Sequence, residues 1–196
     1  LPISPSPRHI GMEAARLLGE RAQGRAKKVA LSVDATNEAL DRMVEALKPD
    51  MLQLHGKETP ERVVSVRSRY RLPIIKAVPI ETRADLSSIR TYAQVADRLL
   101  FDARAPREAT RPGGLGKPFD WRLLENIDPG VPFMLSGGLD AANVAEALRI
   151  TRAPSVDVSS GVEQAPGVKD PEKIRAFIRA ARDGEKKLAD LLAKTA

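Results

Sequence analysis

The sequence predicts an α/β fold organised around parallel strands, because short apolar runs alternate with amphipathic segments along its 196 residues. Repeated strand–helix units of this kind place the strands parallel to one another. Hydrophobic residues make up 42% of the chain and aromatic residues only 4%, so we expect an aliphatic core. No break in composition marks a linker, and residues 1–196 are predicted to form a single domain.

Six apolar runs have the length and the β-branched content of buried strands. We predict strands at residues 29–33, 51–54, 73–78, 98–101, 132–135 and 155–158. Helices are predicted from amphipathic segments at residues 37–47, 59–69, 83–94, 141–149 and 171–182. Two helix starts carry a capping residue, a proline and an acid, at Thr59-Pro60-Glu61 and Asp170-Pro171-Glu172. The pattern leaves open whether the residues after Gly184 extend the last helix or fray.

Two parallel architectures fit this alternation. An open doubly wound sheet binds its ligand where the strand order reverses. A (β/α)₈ barrel binds its ligand on the loops that follow the carboxyl ends of the strands, and it takes about 200 to 250 residues. In both architectures, the side chains at strand ends are the candidates for function.

Composition narrows the classes of function. There is no cysteine, so we expect no disulfide framework and no thiolate metal site. No apolar run approaches the roughly 18 residues that cross a bilayer. We expect no signal peptide, because the amino-terminal residues have no apolar h-region. A cytoplasmic protein with no membrane partner is therefore predicted.

The charge balance is basic without being concentrated. The net charge is +6 and the isoelectric point is about 9.8, but lysine and arginine are interleaved with 26 acidic residues. A solvated surface accounts for this pattern, since no basic block forms and few aromatic side chains are available to stack on bases. We therefore expect no nucleic-acid partner.

Small or ionisable residues follow several predicted strands. His55 follows the second strand, Asp102 follows the fourth, and Arg8 precedes the first. A carboxyl at the end of an apolar strand is a candidate acid, although turn capping would also place one there. His55 could equally pack as structure, and Arg8, taken alone, reads as a surface charge.

The last two predicted strands both end in serine and glycine. Gly137 and Gly138 follow Ser136, and Ser160 and Gly161 end the stretch VDVSSGVE. Without a Cβ, glycine lets backbone N–H groups approach an anion closely, and serine hydroxyls add donors. Two such loops after consecutive strands predict a phosphate site, whereas either loop alone would be ordinary turn chemistry.

These segments, in this order and spacing, make the chain resemble the phosphoribosylanthranilate isomerase family. The matching segments are SPRH (6–9), LQLHG (52–56), LFDA (100–103), GGLGKPFDW (113–121), LSGGL (135–139), VDVSSGVE (156–163) and PGVKDP (166–171). The resemblance implies a (β/α)₈ TIM barrel that carries out an Amadori rearrangement in tryptophan biosynthesis. N-(5-phosphoribosyl)anthranilate becomes 1-(2-carboxyphenylamino)-1-deoxyribulose 5-phosphate, with no metal or organic cofactor.

The resemblance assigns roles residue by residue. Asp102 matches the general acid that protonates the ring oxygen, and desolvation at a strand end would raise its pKa towards neutrality. Arg8 matches the arginine that contacts the anthranilate carboxylate. His55 matches a histidine that lines the pocket. The phosphate-binding positions are matched by Gly137, Gly138, Ser160 and Gly161.

The chain departs from the family pattern in three ways. The family's base is a cysteine in a Lys-Ile-Cys-Gly context, and this sequence has no cysteine. The family's first strand, first helix and second strand have no counterpart ahead of Ser6, so we expect an incomplete amino terminus and activity only when that segment is present. Leu115 stands where the family usually carries threonine.

Two alternatives remain at this point. The first is another phosphate-binding barrel enzyme of tryptophan or histidine synthesis. Indole-glycerol-phosphate synthase uses a strand-end lysine and a glutamate; Lys76 lies in a predicted strand, but no glutamate ends one. The second is a non-catalytic barrel fragment, since the base is missing. In the preferred interpretation the partner is a small phosphorylated molecule, and the protein is a monomer or a homodimer.

Overall fold

The computed structural model describes residues 6–103 and 119–195, without the side chains of residues 192, 194 and 195. The predicted loop motif at residues 113–118, including Leu115, lies outside the described residues. The chain divides into two compact units. The first unit is Leu1–Val78 with Ser88–Leu100, and the second is Pro79–Ser87 with Phe101–Ala196. The single domain stays a prediction.

Strands and helices alternate along the described chain. The strands are β1 (Val29–Ser32), β2 (Met51–Leu54), β3 (Ile74–Ile80), β4 (Arg98–Ala103), β5 (Phe133–Ser136), β6 (Glu163–Ala165) and β7 (Val168–Lys169). The helices are α1 (Met12–Ala22), α2 (Asn37–Leu47), α3 (Pro60–Tyr70), α4 (Ser87–Ala93), α5 (Val144–Thr151) and α6 (Pro171–Thr195). Short 3₁₀ helices cover Arg83–Leu86, Trp121–Leu124 and Ser160–Val162. The first five predicted strands are confirmed, as is the α/β class.

In the first unit the strands pair in parallel. β1 pairs with β2, placing Ala30 opposite Leu52, and β2 pairs with β3, placing Leu52 opposite Ile74. These three side chains are buried, as the aliphatic composition predicts. β1 is the first strand in the order, and its alternate residues Val29 and Leu31 are exposed.

Aspartates that precede the strands hold the sheet of the first unit in register. Asp50 accepts a hydrogen bond from the Lys28 backbone N–H at 2.8 Å. Asp97 accepts one from the Ile74 backbone N–H at 2.9 Å. Each carboxylate thereby satisfies a backbone donor at or just before the start of a neighbouring strand, a donor that would be costly to leave unpaired.

The helices of the first unit include one that the sequence pattern did not predict. α3 begins as predicted, because the Thr59 hydroxyl accepts a hydrogen bond from the Arg62 N–H at 3.3 Å and Pro60 lies in the first turn. α1 was not predicted. Only Ala15 and Gly19 of α1 are buried, and its larger apolar side chains, Leu17 and Leu18, are exposed.

In the second unit, the predicted sixth strand is wrong. Residues 155–158 form a single parallel bridge between Leu135 and Val156. Leu135 donates to the Ser155 carbonyl at 2.9 Å and accepts from the Asp157 N–H at 2.8 Å. Pro154, which has no N–H, limits pairing on one side, and the turn that follows Val158 ends it on the other.

The end of the second unit contains two further differences from the prediction. β6 and β7 form a short antiparallel hairpin that the sequence did not suggest. α6 continues to Thr195, so the residues after Gly184 extend the helix. Gly184 lies where α6 packs on α5, and a Cβ there would lie 2.9 Å from the Ala145 Cα and 3.1 Å from its Cβ.

Gly184→Val should lower the free energy of unfolding by about 2 kcal/mol, because a larger side chain overpacks this helix contact. Asp183→Val, the same new side chain at the exposed neighbouring position, should change it by about 0.5 kcal/mol or less. Urea denaturation followed by circular dichroism measures both. Equal effects of the two variants would mean that the α5–α6 contact is not tight.

Candidate active site

The end of β2 carries the predicted histidine of the first unit. His55 directly follows the strand and is partly buried. The Gln53 amide nitrogen lies 3.1 Å from His55 Nδ1. Because the amide nitrogen is a donor, Nδ1 accepts, and the neutral imidazole carries its proton on Nε2. The ring is thus oriented from within its own strand.

Beside His55 lies a buried ion pair that sequence reasoning missed. Lys76 and Glu58 are 1% and 5% exposed, and the Lys76 ammonium is 3.1 Å from Glu58 Oε2. The ammonium also donates to three backbone carbonyls, those of Leu54 at 3.2 Å, Gly56 at 2.8 Å and Ala77 at 2.8 Å. A lysine within the apolar run Ile-Ile-Lys-Ala-Val was the available signal, since lysine is seldom fully buried without a partner.

Glu58 is held by several donors. Its Oε1 accepts from the Asp34 N–H and its Oε2 from the Gly56 N–H, each at 2.9 Å. Burial alone would raise the pKa of this carboxyl, but the Asp34 N–H and the Lys76 ammonium bring it below its ordinary value. The Tyr92 hydroxyl donates to the Glu58 carbonyl at 3.0 Å, and burial with the nearby Glu58 charge raises the pKa of Tyr92.

Arg8 lies in an exposed turn of the first unit. The turn is closed by a hydrogen bond from the His9 N–H to the Ser6 carbonyl at 2.8 Å. The Ser6 hydroxyl accepts a further one from the Arg8 N–H at 3.2 Å. The Ser-Pro-Arg-His motif is therefore a local turn that presents Arg8 at the surface of this unit.

Asp102 lies in the second unit, one residue before the end of β4. It is partly exposed, whereas its neighbours Phe101 and Ala103 are buried. The Phe101 ring packs against that of Phe133 on β5, with 5.1 Å between centroids. Asp102 thus lies near the end of an apolar strand whose Phe101 side chain packs in the core. That the pKa of Asp102 is raised stays a prediction.

The loop after β5 passes directly over the end of β4. Gly137 and Gly138 have φ values of 94° and 63°, a region that side chains disfavour. A Cβ on Gly137 would lie 1.9 Å from the Ala103 carbonyl oxygen. Only glycine permits this approach. Asn143 stabilises the turn, because its side-chain N–H donates to the Gly138 carbonyl at 2.9 Å.

The second serine–glycine loop packs on the first in the same way. A Cβ on Gly161 would lie 1.9 Å from the Leu139 carbonyl oxygen. Lys169 fixes the loop from outside, donating to the Ser159 carbonyl at 2.8 Å and to its hydroxyl at 3.2 Å. Ser160 is exposed at the start of the short 3₁₀ helix. Of the two serines, Ser159 is held by Lys169 and Ser160 faces solvent.

The hydroxyl at the end of β5 has a partner of its own. Ser136 donates to Asp157 Oδ2 at 2.8 Å. This bond joins the end of β5 to the segment that bridges to it, and it accounts for the buried Ser136 hydroxyl. We assign Asp157 no role beyond this contact.

The structure distributes the predicted residues over both units. Asp102, Gly137, Gly138, Ser160 and Gly161 belong to the second unit, where the two glycine loops touch each other and the end of β4. Arg8 and His55 belong to the first unit.

Within residues 6–103 and 119–195, no group of three or more His, Asp or Glu side chains is placed to bind a metal ion. Among the helices of those residues, none has the length and apolarity to span a bilayer.

Comparison with known families gives a consistent result. The sequence profile described as "PRAI: N-(5'phosphoribosyl)anthranilate (PRA) isomerase" matches residues 3–180. The N-(5'-phosphoribosyl)anthranilate isomerase of Bradyrhizobium diazoefficiens is 64% identical over 178 residues, which cover 91% of this chain and 80% of the relative. That of Nitrobacter hamburgensis is 62% identical over 181 residues, covering 92% of this chain and 80% of the relative.

Solved structures agree with the sequence relatives. Phosphoribosyl anthranilate isomerase from Thermotoga maritima is 32% identical with a TM-score of 0.78, covering 91% of this chain and 83% of that one. A phosphoribosyl anthranilate isomerase complex with reduced 1-(o-carboxyphenylamino)-1-deoxyribulose 5-phosphate is 30% identical with a TM-score of 0.76, covering 91% and 82%. These structures are (β/α)₈ barrels, which confirms the predicted fold class.

The lowered pKa of Glu58 predicts an acid-sensitive contribution to stability. A carboxyl whose pKa is depressed by folding stabilises the protein above its unfolded value, and this contribution is lost as the pH falls through the folded value. The free energy of unfolding should therefore fall more steeply for the wild type than for Glu58→Gln below about pH 5, near the ordinary glutamate range. Urea denaturation across that range is the measurement.

At neutral pH, Glu58→Gln should itself cost about 3 kcal/mol, because one partner of a buried pair is removed. Glu45→Gln, at an exposed position on α2, is the control and should follow the wild-type curve. If the free energy of unfolding fell equally with pH in the wild type and in Glu58→Gln, Glu58 would not be the source of the acid-sensitive stability.

Proposed function

This chain belongs to the N-(5′-phosphoribosyl)anthranilate isomerase family, and we propose that it performs that family's reaction. The substrate is N-(5-phosphoribosyl)anthranilate, and the product is 1-(2-carboxyphenylamino)-1-deoxyribulose 5-phosphate, in tryptophan biosynthesis. The observation that carries the proposal is the pair of glycine loops, after β5 and after Val158, packed without a Cβ beside the strand end that bears Asp102.

The phosphate of the substrate binds the two glycine loops. The backbone at Gly137, Gly138 and Gly161 is free of side chains, and Ser160 adds an exposed hydroxyl donor. Successive N–H groups in such turns form a concave site for an oxyanion. Lys169 holds the carbonyl side of the second loop, so that the loop does not have to be ordered by the ligand.

Asp102 supplies the acid. Opening of the ribose ring requires a proton on the ring oxygen, which a carboxyl donates most effectively when its pKa is near the working pH. Asp102 is partly shielded from solvent near the end of β4, and partial desolvation favours its neutral form. The base then removes the C2′ proton of the iminium. The sequence contains no cysteine, and no residue of this chain is proposed as that base.

Arg8 and His55 recognise the anthranilate end of the substrate. A guanidinium fork suits a carboxylate, and Arg8 is exposed in its turn. His55, at the end of β2 with its Nδ1 held by the Gln53 amide, contacts the same end of the substrate.

The chemistry requires no cofactor, and we place the protein in the cytoplasm without a nucleic-acid or membrane partner. A dimeric Thermotoga maritima relative has been obtained as monomers, and this protein is a monomer or a homodimer.

The alternative barrel enzyme would need a strand lysine that reaches its substrate, and Lys76 does not meet that requirement. The Lys76 ammonium is buried against three carbonyl oxygens and Glu58, so its donors are already used. A catalytic side chain must reach the atom on which it acts.

Asp102→Asn should reduce kcat by about 10²- to 10⁴-fold, the usual contribution of a general acid. The assay uses a chimera that joins the family's Lys-Ile-Cys-Gly strand segment ahead of this chain, so that a base is present. Affinity for reduced 1-(o-carboxyphenylamino)-1-deoxyribulose 5-phosphate should change little, because the phosphate loops are untouched. Fluorescence of the anthranilate group follows turnover.

Asp128→Asn is the matched control. Asp128 is an exposed carboxylate of the second unit that accepts a hydrogen bond from the Gly130 N–H at 2.9 Å, and asparagine retains that acceptor. Its kcat should equal that of the parent. Near-normal turnover by Asp102→Asn would remove Asp102 as the acid.

Ser160→Ala should weaken binding of the same reduced product by about 10-fold, since a hydrogen bond to a charged group contributes roughly 1.5 to 3 kcal/mol. Gly161→Ala should weaken it further, because the added Cβ would collide with the Leu139 carbonyl and displace the loop. Isothermal titration calorimetry on the 196-residue chain measures both affinities.

Gly130→Asn is the control for these loop variants. Gly130 also has a positive φ, 75°, but a Cβ there would meet nothing within 4 Å, and it precedes β5 instead of following it. Asparagine tolerates this backbone conformation. Unchanged affinity in Ser160→Ala and Gly161→Ala, with melting temperatures preserved, would count against the phosphate assignment.

A further inference from the structure

The Lys76 ammonium is committed entirely to the protein around it. Its three hydrogens meet the carbonyl oxygens of Leu54, Gly56 and Ala77, and Glu58 Oε2 lies 3.1 Å away. The side chains of Lys76 and Glu58 are 2% and 3% exposed. The Lys76 ammonium also lies 5.3 Å from the centroid of the Tyr92 ring. A group so enclosed cannot reach a substrate, so its function must act through its partners.

Two of those partners flank a single residue. Leu54 and Gly56 precede and follow His55, and both of their carbonyls accept from Lys76. Glu58 holds the peptide group that follows His55, because its Oε2 accepts from the Gly56 N–H at 2.9 Å. The peptide groups on both sides of His55 are therefore fixed by one ion pair.

The same pair joins the ends of neighbouring strands. Glu58 Oε1 accepts from the Asp34 N–H, two residues beyond the end of β1. Lys76 itself projects from β3 opposite Leu54 of β2. The end of β2 is thus tied to the loop after β1 through Glu58 and to β3 through Lys76, and His55 directly follows β2, the middle strand of the three.

We propose that Lys76 and Glu58 form a positioning pair that holds the end of β2 so that the His55 imidazole points at the anthranilate end of the substrate. The use of His55 rests on the function proposed above, whereas its placement by the pair does not. Replacement of a buried ion pair by uncharged residues often leaves stability unchanged. Stability is therefore a weak reason for burying these charges, and control of a neighbouring side chain is a better one.

The test uses Lys76→Met combined with Glu58→Gln, which removes both charges and leaves no unpaired ion. The protein has only two histidines, His9 and His55, so nitrogen-15 spectra of the imidazoles report on His55 with His9 as an internal reference. We expect the His55 signals to shift or broaden, the His9 signals to stay in place, and affinity for reduced 1-(o-carboxyphenylamino)-1-deoxyribulose 5-phosphate to fall by about 10-fold or more. The control replaces the exposed pair on α5, Glu146→Gln with Arg149→Met, and should change none of these.

The outcomes separate the two hypotheses. If the double variant has His55 signals and affinity like those of the wild type, the pair is structural and the inference is overturned. If the His55 signals change while the affinity does not, the pair positions His55 as inferred, and the proposed role of His55 in binding fails. Should the double variant not fold, Glu58→Asp decides. Asp keeps the charge but draws the carboxylate back from the Gly56 N–H, and His55 signals that remained unchanged in it would likewise overturn the inference.

Discussion

Direct contact of backbone on backbone determines how the second unit is arranged. Gly137 lies against the Ala103 carbonyl and Gly161 against the Leu139 carbonyl, at distances that no Cβ could occupy. The first contact ties the loop after β5 to the end of β4, and the second ties the next loop to that one. Asp102 immediately precedes Ala103, so the proposed acid and the proposed phosphate loops are connected through atoms of the main chain. Because main-chain atoms have no rotamers, the relative positions of these groups within the unit are set by folding itself.

The first unit achieves order by a different means. Its strand ends are joined by charged side chains, with Glu58 accepting from two backbone N–H groups and Lys76 donating to three carbonyls. Buried charges are tolerated there because each is paired and hydrogen-bonded, which offsets the cost of removing it from water. Glycine allows two loops to approach most closely, whereas a buried ion pair can hydrogen-bond to backbone groups at the ends of several strands.

Sequence patterns predicted those features that depend on neighbours along the chain. Strand positions, the Thr59 cap and the glycines after β5 all follow from local spacing.

The Lys76–Glu58 pair could not be predicted this way, since the partners lie on different elements and only the lysine stands out in its strand. α1 escaped prediction because its larger apolar side chains are exposed instead of forming a buried stripe. The sixth strand was predicted wrongly because a run of β-branched residues does not determine how many backbone hydrogen bonds the segment makes with its neighbour. Residues 155–158 form only a single bridge to β5. The proposal that Arg8, His55 and Asp102 act together came from the family resemblance, as no periodicity links residues so far apart in sequence.

The buried pair also constrains how this sequence can drift over evolutionary time. Loss of Lys76 alone leaves a buried carboxylate without its counterion, and loss of Glu58 alone leaves a buried ammonium without its counterion. Either single substitution therefore gives a protein of low stability. Only a coordinated exchange restores a neutral interior, and the energies of the two steps are far from additive. Positions 58 and 76 therefore behave as one inherited unit, and related sequences should either keep both charges or have replaced both.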